Sequence, residues 1–276
     1  MRFREILKKC LHNKSFITGS CMIGLMLLIM VVGFFYLPYD PDAMDTPNKL
    51  QFFSAAHHLG TDQFGRDILS RIMEGTRVSF LVGALTVVFG LVVGGTIGSI
   101  AGYYGGKIDE VIMKLIDTQM AFPGVLLALM LIAVFGNSLQ NLILALGVMS
   151  IPRFARISRS GFIKYRDAEF IKAARSLGAG DGRIIFLHIL PNIVPELIVT
   201  SSLGFAGAVI SEAGLSYLGL GIQPPTPSFG KMLSEAQAEI LQAGWYVLVP
   251  AVAITLLVMG FNLIGDALQE VTQHGR

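Results

Sequence analysis

The chain of 276 residues is 53% hydrophobic, with a mean hydropathy of +0.64 and only 14% charged residues, where a soluble domain carries roughly 25%. That apolar excess excludes intrinsic disorder, and 31 Gly and 11 Pro without a period exclude a collagen-like or low-complexity chain. A net charge of +2 is too small to point to nucleic acid, which leaves an all-α polytopic membrane protein.

An uncharged run of about 20 residues crosses the hydrocarbon core as a helix. Six such spans are expected: 16–37, 78–104, 118–136, a stretch ending at Pro152 and continuing with Arg153, Arg156 and Arg159, then 193–211 and 243–265. The first is followed by a polar segment rather than a small-residue cleavage site, so it reads as a retained anchor. Cys10 and Cys21 have neither a metal-ligand nor a disulfide spacing and read as reduced thiols. This divides the chain into 1–37 (N-terminus and anchor helix), 38–77 (an external loop with an amphipathic helix) and 78–276 (a core with a basic loop at about 163–191).

Sidedness follows from Lys and Arg. Sixteen of the 21 basic residues fall with the termini and the loops after spans two and four, against five (Lys49, Arg66, Arg71, Arg77 and Lys231) on the other side. Both termini and the 163–191 loop are therefore expected in the cytoplasm.

Within the external loop, Thr61 or Asp62 is expected to cap a helix whose Ile68, Leu69 and Ile72 face the membrane while Arg66, Asp67, Arg71 and Glu74 face water. Asp62, Arg66, Asp67 and Arg71 then form an external lid or docking surface, or simply lead into span two. His57 and His58 invite a nickel reading, but adjacent loop histidines without a neighbouring carboxylate or thiol are ordinarily solvated, and no metal site is assigned. Span two carries Gly90, Gly94, Gly98 and Gly102, with Gly106 beyond. Four-residue spacing places them on one helix face, where another backbone can approach closely, either as static packing or as a sliding contact. Pro123 and Pro250 inside spans three and six are expected to bend them. Asp117, Glu196 and Glu212 lie near span ends and read either as rim charges reaching water or as gating groups.

The loop after span four reads Tyr165-Arg-Asp-Ala-Glu-Phe-Ile-Lys-Ala-Ala-Arg-Ser-Leu-Gly-Ala-Gly-Asp-Gly-Arg. Asp167 is the expected N-cap, Glu169 lies in the first turn, and Gly178 is the expected left-handed terminator. The helix between them, about ten residues long, presents Phe170, Ala173, Ala174 and Leu177 on one face. Two central alanines give that face little bulk and suit insertion into a protein groove.

This stretch resembles the EAA loop of ABC-importer permeases through Ala173, Ala174, Gly178, Leu190 and Pro191, although Lys172 stands where the pattern has glutamate and His188 where it has isoleucine. Leu59-Gly-Thr-Asp-Gln-Phe-Gly-Arg-Asp-Ile-Leu-Ser-Arg, the segment from Glu212 to Gly230 and Phe261-Asn-Leu-Ile-Gly-Asp-Ala-Leu are similar to the peptide/nickel branch of that family, of the second-permease type. The resemblance implies an N-terminal anchor helix plus a five-helix type I importer core in a bacterial or archaeal cytoplasmic membrane. It also implies partners: a second homologous permease, two ATP-binding subunits that hold ATP and Mg, and an external or periplasmic solute-binding protein. Cargo would be dipeptides, oligopeptides, nickel or a metal chelate. The residues implied in ATPase coupling are Glu169, Phe170, Lys172, Ala173, Ala174, Leu177, Gly178 and Asp181.

No Gly-x-x-x-x-Gly-Lys-Ser/Thr sequence occurs, so no P-loop cofactor site or catalytic residue is expected in this chain, and energy would come from partners. The rival reading is a secondary transporter or channel driven by an ion gradient. It calls for inverted repeats or midplane charges, and the sequence shows neither.

Overall fold

The computed structural model describes residues 10–273. These residues are helical and contain no strand beyond one isolated bridge, Thr61 to Asp67. In chain order the helices are α1 (Lys14–Phe35), α2 (Ile68–Tyr104), α3 (Gly106–Met120), α4 (Gly124–Phe135), α5 (Leu139–Arg166), α6 (Glu169–Ser176), α7 (Asp181–Tyr217), α8 (Phe229–Ala238) and α9 (Gly244–Gln273). Two of them contain a wide π turn, at Gly90–Gly94 in α2 and Ile184–Ile189 in α7.

Helix starts follow side-chain chemistry. Asn13 accepts from the amides of Ser15 and Phe16 to open α1, Ser138 from Asn141 to open α5, and Ser228 from Lys231 to open α8, each filling an amide that the first turn leaves without a partner. The cap of α2 is Asp67, which takes the Ser70 amide at 2.8 Å. Thr61 and Asp62, expected in that role, lie in the preceding turn. Helix and span are continuous here: the 37 residues of α2 make about 55 Å of helix, so the segment expected as a separate external helix is the first turns of span two.

Span three departs most from expectation. Pro123 does not bend a continuous helix but opens a new one, and α3 and α4 meet at 86° across residues 121–123. The 12 residues of α4 reach about 18 Å, short of a roughly 30 Å core. Four helices among the described residues, α1, α2, α7 and α9, are long and apolar enough to cross a membrane, or five if α3 with α4 counts as one. The 28 residues of α5 are long enough but not apolar enough to join them.

The glycine face of α2 packs on α5. A Cβ on Gly94, Gly98 or Gly102 would lie 2.4, 2.1 or 2.6 Å from the carbonyl oxygens of Ile151, Ala155 and Arg159, and one on Gly90 would lie 2.1 Å from Ser150 Oγ. Both helices present a four-residue repeat, so backbone meets backbone over three turns. Gly106 takes no part; nothing lies near its Cβ position and it turns the chain into α3 at φ +56°. A second such contact, Gly19 on Gly260, joins α1 to α9. Around these seams lie three apolar clusters: Ile23, Ile72, Phe205, Phe229 and Tyr246 at one end, Val82, Ile132 and Leu146 beneath α4, and Phe154, Phe162, Ile171 and Ile184 toward α6.

Gly98→Leu should force α2 off α5 and lower stability by about 2–3 kcal/mol, read as a reduced thermal midpoint and yield of monodisperse protein in detergent. Gly24→Leu, with nothing near its Cβ, should stay within about 0.5 kcal/mol of wild type.

Candidate functional site

At one end of the bundle, α6 stands out from the body with one buried side chain. Ile171 is fully buried against Ile184 and Ile189, while Phe170 is 45% and Leu177 89% exposed. The helix is shorter than expected and begins without a side-chain cap: Ala168 holds the N-cap position, and the Asp167 carboxylate turns away to Arg166 Nε at 3.1 Å. Its end is as expected. Gly178, at φ +83°, donates its amide to Arg175 O and Ala179 donates to Ala174 O, the paired bonds of a Schellman stop. Glu169 is exposed and pairs with Lys172 at 3.0 Å one turn on. Ala173 and Ala174 lie between the exposed Phe170 and Leu177 along the helix, so the small-residue face expected from the sequence is present and open.

The loop is tied to α2 through a residue the sequence did not single out. Tyr103 OH donates to Asp181 Oδ1 at 2.5 Å and accepts from the Arg175 guanidinium at 3.2 Å, whose carbon lies 5.7 Å from the ring centroid. The hydrogen bond to Tyr103 favours the charged form of Arg175 and raises its pKa above the ordinary arginine value. Asp181 and Arg175 thus clasp the last turn of the helix that carries the glycine face.

At the opposite end, Asp62, Arg66, Asp67 and Arg71 are 0%, 5%, 3% and 1% exposed, which corrects the expectation that Arg66, Asp67 and Arg71 face water. Ile68 and Ile72, expected to face the membrane, are buried in the protein. Asp62 Oδ2 takes Arg66 Nε at 2.6 Å, and the Arg66 fork reaches on to Glu235 of α8 at 2.9 Å. Arg71 lies 3.5 Å from Glu235 and 3.7 Å from Asp62. Asp67 holds His57 Nδ1 at 2.9 Å, and the His57 ring packs on Tyr39. His57 is therefore a structural partner in this network. Glu235 was unforeseen because it is distant in sequence and its partners reach it only once α8 folds against α2. Together the pairs fasten the 38–67 segment over the ends of α2 and α8.

The three acids near span ends have different surroundings. Asp117 is exposed and pairs with Arg156 at 2.7 Å. Glu196 is half-buried on α7. Glu212 is fully buried, with one oxygen accepting from Ser216 Oγ at 2.7 Å, so the reading of Glu212 as a rim charge in water does not hold. Arg159 forks onto Asp109 at 2.5 and 2.6 Å, pinning α3 to α5. Arg153 falls at the centre of α5, within the helix and not beyond its end.

Residues 94–275 match the family described as the binding-protein-dependent transport system inner membrane component, and residues 2–53 match the N-terminal TM domain of oligopeptide transport permease C. The chain belongs to the binding-protein-dependent transport permeases. Among similar family members, a dipeptide transport system permease protein DppC of Alkalihalophilus pseudofirmus is 44% identical over 97% of this chain and 88% of its own. A glutathione transport system permease protein GsiD of Pectobacterium atrosepticum is 39% identical over 97% and 89%. In fold the permease is similar to a chain of the inward-facing MetNI methionine ABC transporter, with a TM-score of 0.58 and 19% identity over 73% of this chain and 96% of that one. This membership makes the chain a multi-pass inner-membrane permease subunit of an ABC importer and sets aside the ion-gradient alternative.

Arg66→Ala should leave Asp62 and Glu235 buried without their closest cation, and lower stability by about 3 kcal/mol, seen as earlier thermal unfolding. Removing Asp62 together with Arg66 should recover part of the loss.

Proposed function

We propose that this chain is the C-type permease of an ATP-driven importer of short peptides, paired with a second permease, two ATP-binding subunits that hold ATP and Mg, and an external solute-binding protein. Relatives named for dipeptide and glutathione transport favour peptides over nickel as cargo. We place both termini and α6 in the cytoplasm, with α5 and the broken α3–α4 pair completing six crossings; the crowding of basic residues in the 163–191 loop supports that orientation. We divide the chain at 37 and 77, with α2 running across the second boundary.

The observation that carries the reading is the open apolar rim of α6. Phe170 and Leu177 are exposed beside two alanines on a helix with one buried side chain, the shape of a knob that completes its burial in another protein. ATP binding closes the partner subunits and pulls on α6, and the differential affinity of the ATP-bound form for one conformation supplies the free energy. Ile171 passes that displacement to the start of α7, and the Tyr103 clasp passes it to α2. Glu169, Lys172 and Asp181 set the charge around the knob, and Gly178 fixes the direction in which the chain leaves it. At the outer face, the Asp62, Arg66, Asp67 and Arg71 network holds the segment that would meet the binding protein. Asp117, Glu196 and Glu212 are assigned to the moving helices as gating charges.

In the complete complex, Ala173→Trp should reduce peptide uptake at least about tenfold, the equivalent of about 1.4 kcal/mol, with membrane insertion unchanged; wild-type uptake in this variant rejects the assignment of α6. Tyr103→Phe, which keeps the ring but loses the link to Asp181, should lower the number of peptides moved per ATP hydrolysed while leaving basal ATPase activity intact.

A further inference from the structure

Three arginines follow one another at three-residue intervals on α5, and two of them are answered from α3. Arg159 is bound by Asp109 and Arg156 by Asp117. Arg153, the next in the series, has no hydrogen bond or ion pair with any described residue, and its side chain is exposed. At that level α3 offers Gln119 in place of an acid, and the Gln119 amide is already donated to Val148 O at 2.6 Å.

The surroundings of Arg153 are built and not merely open. It lines a cavity of about 520 Å³ with Thr200, Gly207 and Ile210 of α7 and Asn262 of α9, and adjoins a second cavity of about 280 Å³ reaching Phe122 and Gly124 at the α3–α4 break. The larger volume lies within the range of small-molecule sites. Gly207 adds no side chain to the slot, and its Cβ position lies 4.0 Å from the guanidinium, at ordinary contact distance. Asn262 supplies an amide that carries no hydrogen bond of its own within the described residues.

Depth argues against solvent and lipid headgroups as the partner. Arg153 lies 13 residues from the α6 end of the 28-residue α5, about 20 Å along the axis. Two residues before it, Ile151 packs on Gly94, ten residues from the end of α2. Thr200, which lines the same cavity, is near the middle of α7. A cation at this depth is costly unless an anion or water meets it, and a guanidinium presents its donors as a fork that matches a carboxylate.

We propose that Arg153 receives the C-terminal carboxylate of a peptide in transit, with Asn262 and Thr200 facing the adjoining peptide group and Gly207 leaving it room. This rests on the peptide-import reading above and names the contact by which the permease itself holds its cargo. The unpaired rung of the arginine series is the binding position, and the two filled rungs hold α3 in register beside it.

The test uses the complete complex in proteoliposomes, with labelled L-alanyl-L-alanine and its C-terminal amide each supplied at concentrations that saturate the solute-binding protein. Wild type should take up the free dipeptide faster than the amide. Arg153→Gln should lower uptake of the free dipeptide at least about tenfold, the worth of one charge-assisted contact. It should leave the amide little changed and keep ATPase stimulation by the loaded binding protein within about twofold. Arg153→Lys keeps the charge without the fork and should retain the preference at a reduced rate, which covers the case in which the glutamine variant fails to assemble. Equal loss of both peptides in Arg153→Gln, undiminished uptake of the free dipeptide, or an assembled lysine variant with no preference overturns the carboxylate site. A wild-type complex that takes up neither peptide overturns the peptide reading itself.

Discussion

Backbone contact between α2 and α5 is the constraint on which the arrangement of both ends depends. Lipid offers no hydrophobic drive for one apolar helix to join another, so close van der Waals approach must do that work. Gly94, Gly98 and Gly102 let three carbonyls of α5 come within 2.1–2.6 Å of where a methyl group would stand. One face of α5 is thereby fixed on α2. Its neighbouring face, with Arg156 and Arg153, is turned toward α3 and α7, and Arg159 at the seam's edge still reaches Asp109. Close packing thus decides where the basic residues point.

The same seam relates the two ends of the molecule. At one end Tyr103, one residue beyond Gly102, binds both Arg175 and Asp181 and so fastens the α6 loop to the tail of α2. At the other, the first turn of α2 supplies Asp67, Ser70 and Arg71 to the buried network that holds the 38–67 segment and α8. A displacement of α6 therefore acts on a helix whose far end is bonded to the segment above it. Ion pairs buried this thoroughly are costly to form and more costly to break singly, so the network favours movement of that end as a unit.

Much of this was legible in the sequence, and the reasons are local. The repeat of Gly90, Gly94, Gly98 and Gly102 announces a close helix contact because a four-residue interval is a helix face whatever surrounds it. Gly178 announces the end of α6 because few other residues take φ +83° without strain. Phe170, Ala173, Ala174 and Leu177 follow from the same periodicity. The reading failed where a choice depended on a distant neighbour. Ile171 looks like any other apolar residue of the loop until Ile184 and Ile189 close over it. Arg66 and Arg71 read as water-facing because their partner, Glu235, is more than 160 positions away. Span three read as one helix bent at Pro123 because hydropathy is indifferent to the direction of the chain, whereas Pro123 begins a new helix at 86° to the one before it.

Composition, the positions of Lys and Arg and the glycine and alanine spacings by themselves determined a polytopic helical membrane protein with a short amphipathic helix after its fourth apolar segment, because burial in lipid and helical periodicity act on neighbouring residues. Only the tertiary structure decided which charges are paired. Asp109 with Arg159, Asp117 with Arg156 and Arg66 with Glu235 are matched by helices that meet far from one another in sequence, and the isolation of Arg153 is visible only once those matches are made. A charge in a low-dielectric interior is defined by what stands within a few ångströms of it, and that is a property of the packed helices rather than of the order of residues along them.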